Sequence, residues 1–165
     1  MDKNKILDYQ LVKKKIIRIS LQIIEANSID DEIIIAGIEN NGYLIAKKIF
    51  NEIKKISDKK IQLCSIKIDK KNPRKEITVS LLQEQYENKS VVIVDDVLNS
   101  GSTLMYAVKY FLETKLKKLK TAVLVDRNHK KYPIKADYKG LSLSTSIQTH
   151  VEVLINDNEI NAYLV

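Results

Sequence analysis

Two adjacent carboxylates, followed by small and hydroxylated residues, form the segment of this sequence best suited to chemistry. The segment runs from Val91 to Thr103 and reads VVIVDDVLNSGST. Its β-branched start predicts a buried strand that delivers Asp95 and Asp96 to the edge of a sheet. The loop after them leads into a helix, so backbone N–H groups at the helix N-terminus would face a ligand.

These groups together favour the binding of a phosphorylated sugar. The loop Ser100–Thr103 offers hydroxyls and backbone amides, which form a cradle for phosphate at a helix N-terminus. The two carboxylates are suited to accept hydrogen bonds from ribose hydroxyls, or to hold Mg²⁺ through water. A phosphorylated ribose presents a diol and a phosphate in this arrangement.

Two other interpretations of the segment remain open. In the first, Ser100 or Ser102 simply caps a helix, and the carboxylates are solvated charges at the end of a strand. In the second, the chain is a receiver domain of a response regulator, which also has an acidic pair after an apolar strand. That pair falls near the start of its domain, however, and an Asn-Ser-Gly-Ser-Thr loop is not expected after it.

Predicted strands alternate with predicted helices along the chain, which indicates an α/β fold whose mainly parallel sheet is covered on both faces. Ligands bind beyond the carboxyl ends of the strands in such sheets, and Gly37, Gly42 and Gly101 lie in loops at those ends. Helices are predicted at Asp8–Asn27, Tyr43–Ile56 and Ser102–Thr114, and strands at Glu32–Gly37, Lys60–Ile68, Val91–Val94 and Thr121–Val125, with short strands near Ala136–Tyr138, Val151–Ile155 and Ala162–Val165.

The composition predicts one globular domain spanning residues 1–165, because 44% of the residues are hydrophobic and 30% are charged. No apolar run could span a bilayer, and Met1–Lys5 lacks the features of a secretory signal, so we expect a cytoplasmic protein without a membrane partner. Cys64 lies in an apolar run and is expected to be buried. The net charge of +7 would attract phosphate or RNA, or it reflects a Lys-, Ile- and Asn-rich composition.

The segment DDVLNSGST resembles the phosphoribosyl pyrophosphate (PRPP) motif of type I phosphoribosyltransferases, which has two acidic residues, two apolar ones, a variable one, then Thr or Ser, Gly, any residue and Thr. The resemblance implies a twisted, mainly parallel sheet flanked by helices, with a small hood from the chain termini. It implies Mg²⁺ as cofactor, held through water by the acidic pair. The implied PRPP- or nucleotide-binding residues are Asp95, Asp96, Val97, Leu98, Asn99, Ser100, Gly101, Ser102 and Thr103.

A second stretch, Ala122–Ser146, is similar to the hood of the pyrimidine operon attenuator with uracil phosphoribosyltransferase activity. A Val-Asp-Arg, a His, a Pro-Ile and an Ala-Asp-Tyr occur here in the order of that family. The similarity implies contacts to the base or the hood from Arg127, His129 and Asp137. Asn99 replaces the Asp of hypoxanthine-type enzymes, which favours uracil over a 6-oxopurine. The implied partners are PRPP, a nucleobase, a nucleoside monophosphate and RNA, and we expect a homodimer.

The implied reaction joins a free base to C1 of the ribose and releases pyrophosphate through an oxocarbenium-like transition state. Besides the acidic pair Asp95 and Asp96, the catalytic candidates are Lys70 and Arg74, which with Lys71 would neutralise the leaving group. All three cations belong to the polar segment Asp69–Glu87, which is predicted to be a loop or exposed hairpin able to close over the site. The alternative for each cation is a solvated basic hairpin.

Two stretches depart from the family. The pyrophosphate loop usually carries Lys and Arg, but here its residues are Glu39, Asn40, Asn41 and Gly42. The first helix offers Lys13, Lys14 and Arg18 as a possible RNA surface, yet Leu21 and Ala26 stand where a His and an Arg are expected. Leu21 beside Ile17 suggests a protein–protein contact instead.

Three functions are therefore compatible with the sequence. The first is an active pyrimidine phosphoribosyltransferase, the second is an RNA-binding regulator that senses nucleotides with the same pocket, and the third is a PRPP or nucleotide sensor without catalysis. Glu39 and Asn41 favour the sensor over the enzyme, and Lys13, Lys14 and Arg18 weakly favour the regulator.

Overall fold

The computed structural model describes residues 3–30, 32–144, 146, 149–156 and 159–165. Its elements are β1 (Asn4–Leu7), α1 (Tyr9–Ala26), β2 (Glu32–Ile38), α2 (Asn41–Ile56), β3 (Lys60–Lys67), β4 (Thr78–Val79), α3 (Gln83–Tyr86), β5 (Ser90–Leu98), α4 (Ser102–Leu112), β6 (Lys118–Asp126), β7 (Tyr138–Ser142), β8 (Val151–Asn156) and β9 (Glu159–Leu164). None of the helices in these ranges is both long enough and apolar enough to cross a membrane.

A six-stranded sheet in the order β4-β3-β2-β5-β6-β7 forms the centre of the molecule, and β4 at its edge is antiparallel to its neighbour while the other pairs are parallel. A second, antiparallel sheet in the order β1-β9-β8 joins the two ends of the chain. The predicted α/β architecture with a mainly parallel sheet and a hood from both termini is therefore confirmed.

The central sheet is buried on both faces, which explains why its strands are almost continuously apolar. On β2, Ile33 and Ile35 face the helices α1 and α2, whereas Ile34 and Ala36 face α4 on the other side. Cys64 on β3 is buried among the residues of the α4 side, as predicted. The functional edge is left at the carboxyl ends of the strands, where the loops meet.

The helix α1 begins and packs as its sequence predicts. Asp8 caps it, because the side chain accepts a hydrogen bond from the Leu11 N–H at 2.8 Å. The stripe Val12, Ile16, Ile19 and Ile23 is buried against the sheet.

Three parts of the fold differ from the prediction. The strand β5 does not end at Val94 but continues to Leu98, because its ladder with β6 continues as far as Asp126. The acidic pair therefore lies within a strand rather than in a loop. The polar segment Asp69–Glu87 contains the short strand β4 and the short helix α3. The strand β1 was not predicted because its partner, β9, lies at the other end of the chain.

A buried ion cluster holds the amino ends of the central strands together, opposite the functional edge. The Asp30 carboxylate contacts the ammonium groups of Lys117 at 2.8 Å and Lys118 at 3.1 Å, and it accepts a hydrogen bond from the Ser90 hydroxyl at 2.7 Å. Burial opposes ionisation of Asp30, but these three donors outweigh it and lower the pKa of Asp30 to about 2.

We predict that Asp30→Asn lowers the free energy of unfolding at pH 7 by on the order of 2 kcal/mol. A depressed carboxyl pKa stabilises the fold above the pKa of the unfolded chain, and this contribution is lost as the pH falls toward 2. The difference between variant and unaltered protein should therefore shrink between pH 5 and pH 2 in urea unfolding. Asp58→Asn, at an exposed position, is the control for the loss of one surface carboxylate. An effect of Asp30→Asn that is independent of pH would contradict the assignment.

Candidate active site

One lysine bridges the acidic pair, of which Asp95 is buried and Asp96 is half-buried. Asp95 is only 2% exposed, and its Oδ1 lies 2.8 Å from the Lys70 Nζ. The same ammonium lies 3.3 Å from Oδ1 of Asp96. Lys70 comes from the loop after β3 and the acidic pair lies on β5, so the ion pairs reach across the carboxyl end of β2, the strand between them.

The two carboxylates differ in how readily they ionise. Burial, and next the charge of Asp96, raise the pKa of Asp95 to about 7. Burial also opposes ionisation of Asp96, but Lys70 and hydrogen bonds from its neighbours hold the pKa of Asp96 below its ordinary value. For Lys70, burial works against the charged form, yet the two carboxylates raise its pKa. The pair is thus suited to an additional donor or cation near Asp95.

The phosphate loop turns at a glycine that no other residue type could replace without strain. Gly101 has φ +86° and caps α4, and a Cβ there would lie 2.3 Å from the Cγ2 of Ile134. The Ser102 N–H donates to the Ser100 hydroxyl at 3.3 Å. The residues that line the resulting cleft are Lys70, Asp95, Asp96, Val97, Leu98, Asn99, Ser100, Gly101, Ser102, Thr103, Leu104 and Val151.

A second cleft adjoins the first and shares Lys70 and Asp96 with it. Asp96 on β5 is joined there by residues that follow β2 and β3. The lining residues are Glu39, Asn40, Asn41, Ile68, Asp69, Lys70, Lys71 and Asp96. Gly42 allows α2 to begin this close to β5, because a Cβ there would lie 2.9 Å from the Val94 carbonyl oxygen. The loop Glu39–Gly42 contains no cation, but Lys70 and Lys71 face it across the cleft.

Two tethers dock the C-terminal hairpin β8–β9 against this edge, and the sequence did not predict either of them. The Asn41 side chain donates to Asp96 and to the carbonyl oxygen of Val153, both at 3.0 Å. The buried Arg127 guanidinium donates to Asn99 Oδ1 at 2.8 Å and to the Thr149 carbonyl oxygen. Val151, between the two tethered positions, forms a wall of the first cleft.

Two residues predicted for the site lie elsewhere. Arg74 lines a separate cleft with Tyr106 and Tyr110 of α4, because the segment after Pro73 runs along that helix. Asp137 lies before β7, where its carboxylate accepts the Thr121 N–H at 3.0 Å near the amino end of the sheet. The structure therefore places neither Arg74 nor Asp137 beside the acidic pair, and their predicted roles at the site stay predictions.

The remaining predicted residues occupy the hood and the first helix. His129 is half-buried in the loop after β6. Lys13 and Lys14 are exposed on α1, whereas Arg18 donates to the carbonyl oxygens of Lys139 and Gly140 at 2.9 and 2.8 Å. Leu21 is 53% exposed beside them, and the protein–protein contact expected there stays a prediction.

Comparisons with known proteins agree with this geometry. The family model described as "Phosphoribosyl transferase domain" matches residues 2–157. "Bifunctional protein PyrR" of Streptococcus thermophilus (strain CNRZ 1066) is 35% identical over 162 residues, which cover 95% of this chain and 92% of the relative. The protein of the same name from Clostridium botulinum (strain Alaska E43 / Type E3) is 32% identical over 163 residues, with 94% and 91% covered.

Solved structures show the same fold at lower identity. A hypoxanthine-guanine phosphoribosyltransferase from Bacillus anthracis superposes with a TM-score of 0.78 at 18% identity, covering 99% of both chains. The hypoxanthine phosphoribosyltransferase of Trypanosoma cruzi gives a TM-score of 0.76 at 13% identity, covering 96% of this chain and 95% of that chain.

The fold and the site define a phosphoribosyltransferase of type I, as the motif at Asp95–Thr103 predicts. Within that class, the chain belongs to the family of the bifunctional protein PyrR. The predicted enzyme class, a pentosyltransferase, is confirmed by this membership.

We predict that Asp95→Asn changes how stability depends on pH. A carboxyl group with a raised pKa stabilises the fold below about pH 4, where it is protonated, and this contribution is lost as the pH rises through 7. Removing the ionisable group should therefore stabilise the variant relative to the unaltered protein by on the order of 2 kcal/mol more at pH 8 than at pH 5. Urea unfolding at both pH values measures this, and a constant difference would contradict it.

Proposed function

We propose that this protein binds PRPP and a pyrimidine nucleotide at the carboxyl edge of its central sheet and transfers the phosphoribosyl group to uracil, releasing pyrophosphate. The observation that carries the proposal is the buried acidic pair, which lies directly beside a phosphate loop at the start of α4. The ribose hydroxyls would donate to Asp95 and Asp96, and the amides and hydroxyls of Ser100–Thr103 would hold the 5-phosphate.

In the transfer, the bond between C1 and the pyrophosphate oxygen breaks and the electron pair leaves with pyrophosphate. The lone pair of the uracil nitrogen forms the new bond to C1, and the nitrogen's proton passes to the departing pyrophosphate. The protein supplies no nucleophile. Its residues position the ribose and stabilise charge in a partly enclosed cleft.

Lys70 has to move for this reaction, since its ammonium occupies the acidic pair that the ribose hydroxyls would use. The side chain is 41% exposed and lines both clefts, so it can turn toward the second one. There, Lys70 and Lys71 would face the pyrophosphate and offset its repulsion by the Glu39 carboxylate. In this proposal Lys70 binds the acidic pair in the free protein and the leaving group in the complex.

The donor set at the acidic pair fits Mg²⁺. Magnesium is usually held by one or two carboxylates together with substrate phosphates and water, and Asp95 and Asp96 supply such a pair. Within the described ranges, no group of three or more His, Cys, Asp or Glu side chains could hold a metal without a ligand. When bound, Mg²⁺ neutralises charge on the pyrophosphate.

The affinity for a nucleoside monophosphate, divided by the affinity for PRPP, should be higher here than in a site whose pyrophosphate loop is basic. The monophosphate uses only the acidic pair and the phosphate loop, whereas PRPP must also approach Glu39. A carboxylate about 4 Å from a phosphate charge is repulsive by about 1 kcal/mol even in water-like dielectric. Slow turnover and good nucleotide binding are the behaviour expected of a sensor that retains the reaction.

RNA binding is the second role that the family suggests. The similar proteins are named bifunctional, and Lys13 and Lys14 present charge to solvent on α1. Because Arg18 is occupied by backbone carbonyl groups and Leu21 interrupts the basic face, we expect contacts to RNA phosphates without base readout.

The direct test of the site removes its charge without changing its shape. We predict that Asp95→Asn with Asp96→Asn weakens binding of uridine 5′-monophosphate roughly 100-fold or more, because each lost carboxylate hydrogen bond contributes about 1.5 to 3 kcal/mol. The fold should remain intact by circular dichroism. Calorimetry measures the affinity, with Asp58→Asn plus Glu84→Gln as a surface control of equal charge change. Unchanged affinity in the acidic-pair variant would disprove the site.

A further inference from the structure

The side-chain amide of Asn41 connects two parts of the molecule that no other residue of its loop connects in the described structure. Its Nδ2 donates to Oδ2 of Asp96 and to the carbonyl oxygen of Val153, and both distances are 3.0 Å. Asp96 belongs to β5 of the central sheet, and Val153 belongs to β8 of the hood. Both N–H bonds of one amide are therefore used, and neither is left for a ligand.

This contact fixes one side of the Asp96 carboxylate. The other oxygen, Oδ1, accepts the Val97 N–H at 2.9 Å and the Lys70 ammonium at 3.3 Å. Lys70 is the donor that can leave, because its side chain is 41% exposed, whereas Asn41 is half-buried and bonded twice. When a ligand displaces Lys70, Oδ1 becomes the oxygen offered to the ribose, while Asn41 keeps the carboxylate in place.

The same contact fixes the wall of the first cleft. The chain entering β8 is held at Thr149 by Arg127, and β8 itself is held at Val153 by Asn41. Val151 lies between these tethers and lines the cleft beside the phosphate loop. Loss of Asn41 would therefore release one end of this wall and one oxygen of Asp96 together.

The Asn41 amide holds Asp96 and the wall of the first cleft in place without adding a charge to the site. A hydrogen-bond donor at position 41 positions the groups that bind ribose and 5-phosphate, but an uncharged one adds little attraction for pyrophosphate. A cation at position 41 would line the second cleft, where it would face Glu39, Asp69 and Asp96 and attract the leaving group.

We propose that Asn41 is a positioning residue that sets ligand preference. It holds Asp96 and the hairpin β8–β9 in place for the ribose and 5-phosphate, which both ligands carry, but supplies no charge for pyrophosphate, so the site favours a nucleoside monophosphate over PRPP. The inference rests on the proposed function, because the ligand contacts are those proposed above. It goes beyond that function in assigning the preference to one side chain whose N–H bonds are both used within the protein.

The test compares the affinities of the whole protein for uridine 5′-monophosphate and for PRPP with Mg²⁺. Asn41→Ala should weaken monophosphate binding about tenfold, the effect of about 1.4 kcal/mol from lost hydrogen bonds. Asn41→Arg should weaken it similarly while PRPP binds at least as tightly as before, so that the ratio of the two affinities shifts about tenfold. Amide hydrogen exchange at Val151–Asn156 should accelerate in both variants.

The matched control is Asn51→Ala, an exposed position on the same helix, which should change neither affinity nor exchange. If Asn41→Ala does not fold, Asn41→Asp replaces it, keeping the shape while placing a third carboxylate beside Asp96, and should bind the monophosphate still more weakly.

Three outcomes would overturn the inference. An unchanged monophosphate affinity in Asn41→Ala would refute this inference but not the proposed function, because the unaltered protein would still bind both ligands as proposed. An equal loss for both ligands in Asn41→Arg would reduce Asn41 to a structural role. Failure of the unaltered protein to bind either ligand would refute the proposed function and this inference with it.

Discussion

Two carboxylates held side by side at the end of a buried strand repel each other and lose hydration, so they require a counter-charge. In this protein Lys70 supplies it, with its ammonium 2.8 Å from Asp95 and 3.3 Å from Asp96. The same requirement makes the pair a binding site, because ribose hydroxyls or a cation can take the place of Lys70. Most of the other features at this edge serve to hold the pair in position or to offer a phosphate site next to it.

The elements around the acidic pair hold it in place and bring the phosphate loop beside it. The continued ladder between β5 and β6 holds the acidic pair rigidly, and Gly42 lets α2 begin within contact distance of Asp95. Gly101 turns the chain so that the start of α4 faces the same cleft. The hood, built from both ends of the chain, then reaches the site through Asn41 and Arg127. The second cleft does not follow this pattern, since the negatively charged Glu39 lies where a group that attracts pyrophosphate would be needed.

The sequence predicts most of the fold because its signals are local. The apolar stripe of α1, the buried strands and the motif after Val94 can each be recognised from neighbouring residues. The contacts that complete the site depend on residues far apart in sequence. Asn41 meets Asp96 and Val153 across 55 and 112 positions, and β1 pairs with the other end of the chain. The positions of Arg74 and Asp137 also depend on the path of the chain, which takes the first along α4 and the second to the amino end of β7.

The release of pyrophosphate from PRPP in the presence of Mg²⁺, measured with each common nucleobase, shows whether this site retains phosphoribosyl transfer although Glu39 weakens its attraction for the leaving pyrophosphate. We expect release with uracil in preference to purines, at a rate well below about ten per second, a typical enzyme rate. Glu39→Lys should raise that rate about tenfold or more. Uracil turnover near ten per second by the unaltered protein would contradict the role given to Glu39. No release with any base by either protein would contradict the retained reaction itself.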